Sequence, residues 1–193
     1  KDLQFAFTAH NAILSCILAK RGLTGYLRVV EGNKGFRETV LKGEMDLERL
    51  TDFSGWRILE GKFKSICQNG TTHACILATL AIVKENDLKP EEIASVRVKT
   101  SARDARHVTS TPARRYPRNV ESASHSAFFG NAMVIKERAL GPDQMKEEKF
   151  TDPVILDLIE RMTVEADPAL GDRGPGGSSE ITTKDGRRFF KQI

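Results

Sequence analysis

The sequence predicts an α+β protein, with a helical part over residues 1–55 and an α+β domain with an antiparallel sheet over residues 56–193. Polar side chains of residues 2–21 fall in one narrow wedge at helical spacing, which predicts a helix. Residues 94–100 alternate apolar with charged side chains, as half-buried strands do. Residues 180–190 contain two strand-like runs around a Lys-Asp-Gly turn, which predicts a hairpin. In this sequence a helical part comes first and a mixture of helices and strands follows. That order is typical of an α+β fold.

The helical part begins with the helix over residues 2–21, which ends at Gly22. Its polar wedge is so narrow that we expect apolar partners to surround it on several sides. A second helix is predicted over residues 34–42 and ends at Gly43. Residues 54–64 show no helical pattern and are predicted to be extended.

The α+β domain contains a segment, residues 71–86, that is apolar nearly all round for three turns and therefore predicts a buried helix. Another helix is predicted over residues 121–139. Asp152 and Pro153 supply a cap and a first-turn proline for a further helix. The remaining predicted elements are a strand at 163–165, a flexible loop at 171–179 and the hairpin.

Composition limits the classes of function. The chain has 193 residues, of which 39% are hydrophobic and 29% charged, as in ordinary globular proteins. No apolar run reaches the roughly 20 residues that a membrane helix needs, so no membrane partner is expected. The net charge of +4 permits an anionic ligand without requiring a nucleic acid. Cys16, Cys67 and Cys75 cannot all pair with one another, which favours reduced thiols in a reducing compartment.

Several stretches, taken in their order along the chain, resemble the MmgE/PrpD family, the family of 2-methylcitrate dehydratase. The last long helix of the family's helical domain and its Gly-rich continuation are similar to KDLQFAFTAHNAILSCILAKRGLTG and VVEGNKGF. Its lysine-containing loop with the helix that follows, and its next strand, are similar to KFKSICQNGTTHA and IASVRVKT. Its Ser-containing helix, its closing helix and strand, and its hairpin are similar to SASHSAFFGNAM, FTDPVILDLIERMTVEADP and ITTKDGRRF.

This resemblance implies an enzyme with a helical domain and a lid-like α+β domain, with the active site between them. It implies a lyase that acts on a small polycarboxylate without metal or organic cofactor, with dehydration of 2-methylcitrate as the first expectation. Decarboxylation of cis-aconitate and epimerisation of iminodisuccinate are the alternatives. A cytoplasmic homodimer is expected, or a matrix protein in a mitochondrion. We expect the chain to cover roughly the second half of a family member, and to be inactive alone.

The resemblance places the family's active-site lysine at Lys64, as a cation for a substrate carboxylate and a catalytic residue. An exposed surface lysine is the ordinary alternative, and Lys62 is an alternative in register. His10 occupies a family position that is often Lys or Arg, so it is a second catalytic candidate. His10 also lies on an apolar side of its helix, where a core histidine is equally natural.

Three further residues are candidates for substrate binding. Asn69 precedes a helix whose first backbone N–H groups suit a carboxylate, although the same residues serve as ordinary caps. His73 matches a histidine at the family's helix start and either binds substrate or packs the site. His125 lies in the polar run SASHS, which lines either a cleft or a face packed through small residues. The spacing of Cys67, His73 and Cys75 lacks a CxxC pair and a fourth ligand, so zinc is not expected.

A basic segment, residues 97–118, supports a different class of function. It contains Arg97, Lys99, Arg103, Arg106, Arg114, Arg115 and Arg118 against the single acid Asp104. Such a segment fits a non-catalytic module that binds nucleic acid or another polyanion. Only Tyr116 interleaves it as an aromatic residue, which is weak support for binding single strands. No nucleic-acid partner is therefore expected.

Overall fold

The computed structural model describes residues 3–43, 46–61 and 63–193 and divides into two compact units, Lys1–Gly61 and Lys62–Ile193. The first unit contains the helices α1 (Gln4–Lys20), α2 (Phe36–Thr39) and α3 (Leu47–Thr51), with a 3-10 turn at Arg57–Glu60. No residue of α1 is buried, although it carries large apolar side chains such as Phe5 and Phe7.

Two predictions for the first unit need correction. The second helix is shorter than the predicted 34–42, because Lys34 and Lys42 both adopt positive φ angles, 57° and 50°, that a helix cannot continue through. The segment predicted to be extended contains the 3-10 turn at Arg57–Glu60. Lys62, the alternative in register for Lys64, lies outside the described residues.

The second unit alternates helices with strands. Its helices are α4 (His73–Glu85), α5 (Ala102–Val108), α6 (Pro112–Arg115), α7 (Val120–Ala123), α8 (Ala127–Glu137) and α9 (Pro153–Glu160). Its strands are β1 (Ile93–Thr100), β2 (Met162–Ala166), β3 (Ser178–Thr183) and β4 (Arg188–Gln192). Short 3-10 turns lie at Gly70–Thr72, Pro90–Glu92, Pro142–Met145, Glu147–Thr151 and Pro168–Leu170. The predicted α+β class is therefore confirmed.

The sheet of the described residues is mixed, where a wholly antiparallel sheet was expected. Its strand order is β2-β1-β3-β4, and β3 pairs antiparallel with both β1 and β4. β1 and β2 are parallel, with Val96 opposite Met162. Parallel neighbours need a long crossover, which the five helices α5 to α9 supply here. The sequence pattern of β2 alone does not reveal its direction, which explains the error.

One face of the sheet packs on the core and the other meets solvent. Val96 and Val98 of β1 are buried, whereas Arg97 between them points to the exposed side. There the Arg97 guanidinium lies 4.0 Å from a carboxylate oxygen of Glu165 on β2 and 3.8 Å from one of Glu180 on β3. A sheet with one solvated face is typical of α+β folds.

The core of the second unit forms where α4 packs against β3 and β4, and where α8 packs against α4 and α9. A buried polar contact joins these layers, because the hydroxyl of Thr79 on α4 lies 2.5 Å from Asn131 Oδ1 on α8 and 2.7 Å from Ser179 Oγ on β3. All three side chains are fully buried, so their mutual hydrogen bonds offset the loss of water. None of the described helices is long and apolar enough to cross a membrane.

Candidate active site

Two segments of the second unit that carry predicted site residues are joined by buried hydrogen bonds. The backbone N–H of Asn69 donates to the carbonyl of Ser124 at 2.8 Å. The side-chain Nε2 of Gln68 donates to the carbonyl of Ser126 at 2.6 Å, and Gln68 is only 3% exposed. The turn that leads into α4 is therefore fixed against the residues between α7 and α8, where His125 lies.

Ser126 is the centre of this connection, which we call the Ser126 junction (Gln68, Arg114, Ser126 and Phe129). Its carbonyl accepts from Gln68, and its hydroxyl donates to the carbonyl of Arg114 at 2.5 Å. The same hydroxyl oxygen accepts from the backbone N–H of Phe129 at 3.0 Å, which caps α8. One serine thus connects the turn before α4, the basic segment and the start of α8.

The Ser126 junction also explains why the helix predicted over residues 121–139 is broken. Ser126 takes an extended conformation, with φ −96° and ψ 111°, so that its hydroxyl can cap α8. Asn119 and Ser122 form a capping box at the start of α7. Serine and asparagine side chains compete with the helix for backbone hydrogen-bonding groups. Here the side chains of Asn119, Ser122 and Ser126 bind backbone groups as caps, and the helix is interrupted between α7 and α8.

Asn69 caps the turn that leads into α4. Its side-chain oxygen accepts from the backbone N–H of Thr71 at 3.2 Å, and its carbonyl accepts from the backbone N–H of Thr72 at 3.1 Å. These two N–H groups are therefore used within the turn. The structure shows the capping role of this stretch directly, and the N–H groups of Thr71 and Thr72 are not available to a ligand carboxylate.

His73 is the first residue of α4 and is half-buried. Its ring nitrogen Nε2 lies 3.1 Å from the carbonyl oxygen of Gln68. A carbonyl only accepts hydrogen bonds, so Nε2 must carry the proton in the neutral ring, and Nδ1 is then the acceptor. The backbone of Gln68 thereby fixes both the position and the tautomer of His73.

His125 has the opposite tautomer. Its side chain is buried, 7% exposed, and Nδ1 lies 2.8 Å from the carbonyl oxygen of Glu121, so Nδ1 carries the proton. The carboxylate of Glu121 is 3.5 Å from the same nitrogen. The ring of His107 meets the His125 ring edge to face, with centroids 6.5 Å apart. His125 is therefore held by its own turn, α7, and by a second histidine from α5.

The two predicted catalytic residues lie on other segments of the chain. Lys64 is exposed and lies five positions before Asn69, in a stretch without regular secondary structure. Its ammonium has no ion-pair partner among residues 3–43, 46–61 and 63–193. His10 lies on α1 of the first unit, is exposed, and has its Nδ1 3.3 Å from the side-chain oxygen of Asn11.

The cysteines near the turn are not arranged for metal chemistry in the part of the chain that the structure describes, where no three His, Cys, Asp or Glu side chains lie close enough to hold an ion. Burial raises the pKa of the Cys75 thiol to about 12, and its Sγ–H donates to the carbonyl of Thr72. A thiol with that pKa is protonated at neutral pH and therefore unreactive.

Three of the seven basic side chains of this segment, those of Arg97, Arg106 and Arg115, are paired or packed within the fold. Arg106 lies 2.7 Å from the carboxylate of Asp172, and Arg97 has the two acidic neighbours on the sheet. Arg115 donates to the carbonyl of Ile159 at 2.9 Å and stacks over the ring of Phe128, 4.7 Å from its centroid. The helices α5 and α6 of this segment were not predicted, because their charged side chains leave no clear apolar stripe.

The sequence did not single out Gln68, and it named Arg114 only as part of the basic segment. Each has one buried polar atom, Gln68 Oε1 and Arg114 Nη1, with no hydrogen-bond partner among the described residues. No periodicity or motif marks either position. The signal that finds them is structural, since unpaired buried polar atoms are uncommon in folded proteins.

A known protein family matches most of the second unit. The model of the MmgE/PrpD C-terminal domain matches residues 67–193, which is more than half of the chain and includes the turn into α4, the Ser126 junction and the whole sheet. A search of curated proteins gave no match. The resemblance drawn from the sequence is thereby confirmed, and the chain belongs to the MmgE/PrpD family.

Proposed function

We propose that this protein is a hydro-lyase that dehydrates a small polycarboxylate, with 2-methylcitrate as the substrate. The observation that carries the proposal is that the turn carrying Asn69 and His73 is hydrogen-bonded to the segment carrying His125, inside the domain that matches the family. Imidazole and amide N–H groups can donate hydrogen bonds to the carboxylate and hydroxyl groups of such a substrate. The geometry supports the reaction class, and the substrate follows from the family.

The reaction sets clear requirements for the site. A base removes a proton from the carbon beside a carboxylate, the C–O bond to the hydroxyl group breaks, and the hydroxyl leaves as water after an acid protonates it. A carbon–carbon double bond remains. Negative charge grows on the carboxylate during proton removal, so fixed cations lower the barrier.

We assign these requirements to residues of this chain. Lys64 supplies a cation for a substrate carboxylate, and Asn69 and His73 bind the substrate from the turn into α4. His125 binds from the segment between α7 and α8. His10 replaces the family's usual Lys or Arg with an imidazole, the side chain most often used for proton transfer, which makes it a candidate for that role.

A polyanion-binding module is less well supported. The ion pairs of Arg97 and Arg106 and the packing of Arg115 remove three of the cations on which that interpretation rests. Surfaces that bind nucleic acid keep their cations available for phosphates. We therefore propose a small carboxylate as the partner, in a cytoplasmic or matrix enzyme that acts as a homodimer; light scattering on the natural protein tests the dimer.

The test is a substrate comparison with the natural protein that contains this chain. It is incubated separately with 2-methylcitrate, cis-aconitate and iminodisuccinate, and the products are identified by mass spectrometry and NMR. We expect loss of water from 2-methylcitrate. Release of carbon dioxide from cis-aconitate, or inversion of iminodisuccinate without change of mass, would instead assign the decarboxylase or the epimerase. Turnover of none of the three contradicts the proposal.

A further inference from the structure

Arg114 differs from the arginines of the basic segment that the fold uses. Arg97, Arg106 and Arg115 each contact a carboxylate or a carbonyl oxygen. The guanidinium of Arg114 makes no hydrogen bond and no ion pair with any residue in the described ranges, and its Nη1 is buried. Arginine stays charged at every physiological pH, so this positive charge is not removed by loss of a proton.

The backbone of Arg114 is nevertheless firmly placed. Its carbonyl accepts the hydroxyl hydrogen of Ser126 at 2.5 Å, and α6 packs against α8. Ser126 adjoins His125 and accepts from Gln68, the residue before Asn69. Arg114 is therefore anchored at the same junction that holds the segments of the three substrate-binding candidates, and the described residues leave its side chain without a partner.

The neighbouring Arg115, unlike Arg114, has a structural role in the fold. Arg115 points towards α9, where it donates to the carbonyl of Ile159 and lies 3.8 Å from a carboxylate oxygen of Glu160. It also donates to the hydroxyl of Tyr116 at 3.1 Å. Arg115 thus fixes α6 against α9. The fold does not need Arg114 for the same purpose.

We propose that Arg114 binds a carboxylate group of the substrate. A guanidinium presents parallel N–H groups that match the two oxygens of a carboxylate, and such charged pairs are the strong hydrogen bonds of binding sites. A substrate with two or three carboxylates needs more than one cation, so Arg114 adds to Lys64. The inference rests on the proposed function for its substrate class, a small polycarboxylate. A half-buried, unpaired guanidinium is the independent observation.

The experiment measures binding and turnover in the natural protein that contains this chain. The probes are 2-methylcitrate for turnover, and tricarballylate, a tricarboxylate without a hydroxyl group to lose, for calorimetric binding. Inorganic phosphate serves as the anion of a different class. The variants are Arg114→Gln and Arg114→Lys, and the matched control is Arg118→Gln, which removes the same charge from an exposed arginine four residues later.

We expect Arg114→Gln to raise the Kd for tricarballylate and the KM for 2-methylcitrate by about 10- to 100-fold, as for loss of a charge-assisted hydrogen bond. Arg114→Lys keeps the charge but loses the paired geometry, so it should fall between wild type and Arg114→Gln. Arg118→Gln should change either constant by less than about threefold, as expected for an exposed charge. Arg114→Lys also covers the case in which Arg114→Gln does not fold.

Other outcomes overturn the inference. Wild-type affinity for tricarballylate in the folded Arg114 variants, or an equal loss in Arg118→Gln, shows that Arg114 does not contact the ligand. Phosphate that binds as tightly as tricarballylate shows a general anion site and removes the substrate assignment. Tricarballylate binding that depends on Arg114, without turnover of 2-methylcitrate by the wild type, supports Arg114 and contradicts the proposed function alone.

Discussion

Replacing Gly130 by alanine should destabilise the protein and loosen the Ser126 junction. Gly130 lies in the middle of α8, and a Cβ atom placed there would be 2.5 Å from Ile76 Cδ1 and 2.9 Å from Gln68 Nε2. Carbon atoms in folded proteins do not approach that closely. Ile76 is fully buried and Gln68 is 3% exposed, so neither neighbour has free space to move into.

Opposing effects decide the magnitude. Alanine is better than glycine inside a helix by about 0.5–1 kcal/mol. Overpacking of a core position costs about 1–3 kcal/mol. Displacement of Gln68 breaks its hydrogen bond to the Ser126 carbonyl, which keeps the backbone N–H of Gly130 as a donor. The buried Gln68 Nε2 is then left without an acceptor, at about 1–3 kcal/mol. The packing and hydrogen-bond losses exceed the helix gain, so we expect a net loss of roughly 2–4 kcal/mol.

Urea unfolding of the wild type and of Gly130→Ala measures this difference, with slopes compared to confirm the same unfolding transition. The matched control is Gly70→Ala in the turn before α4, where a Cβ atom would meet nothing within 4 Å. That variant should stay within about 0.5 kcal/mol of wild type. If Gly130→Ala proves as stable as wild type, the close packing of Gln68 under α8 is wrong, and with it the physical basis of the Ser126 junction.

Three further predictions follow from single residues. Lys64→Ala should lower kcat/KM for 2-methylcitrate by about 10- to 150-fold, because a charged contact is lost. Lys62→Ala should change kcat/KM little. Equal small losses of kcat/KM in both variants, measured by steady-state kinetics, would show that both are surface lysines. Burial favours a higher pKa for Glu137, but hydrogen bonds from Lys149 and Gln144 outweigh it and hold the pKa below the ordinary 4.5. The stabilisation from Glu137 is therefore complete above pH 4.5 and lost as the pH falls through the lowered pKa. Unfolding curves from pH 6 to 3 should thus show a weaker acid dependence in Glu137→Gln. Because burial raises the pKa of Cys75 to about 12, thiol reagents should label the exposed Cys16 first; equal rates by peptide mapping would contradict that.

The sequence predicted the elements whose pattern comes from their own residues. The buried helix after Asn69 and the strand around Val96 follow from apolar spacing. Asp152 with Pro153 marks the start of α9, and the Asp152 side chain accepts the N–H groups of Val154 and Ile155 as the cap predicts. Local patterns suffice in such cases because the forces that form the element act between neighbours in sequence.

The errors have the opposite origin. The direction of β2 depends on the path of five helices between it and β1, which no pattern within Met162–Ala166 encodes. The break between α7 and α8 is fixed by local caps together with the bond from the Ser126 hydroxyl to the Arg114 carbonyl, twelve positions away. Gln68 reaches Ser126 across 58 positions. These contacts are long-range, so a single sequence gives no sign of them.

The candidate residues Lys64 and His73 differ in how far the fold positions their side chains. Ile66 is buried, the N–H of Cys67 donates to the carbonyl of Leu140 at 2.8 Å, and Gln68 and Asn69 are bound to the segment around Ser126, so the chain is anchored from Ile66 onwards. Lys64 lies two positions before this anchor and is exposed. In the proposed site the ligand would therefore have to order this side chain, and ordering a long lysine side chain costs about 1.5–2 kcal/mol of entropy. The ring of His73, by contrast, is already held by the carbonyl of Gln68. In the proposed site the fold holds the imidazole of His73 but not the ammonium of Lys64. Shortening Lys64 should therefore lower the affinity for substrate. Removing the hydrogen bond of the Gln68 side chain should instead lower turnover. Steady-state kinetics of Lys64→Ala and Gln68→Met, in which the methionine keeps the length but not the hydrogen bond, would separate the two as an effect on KM and an effect on kcat.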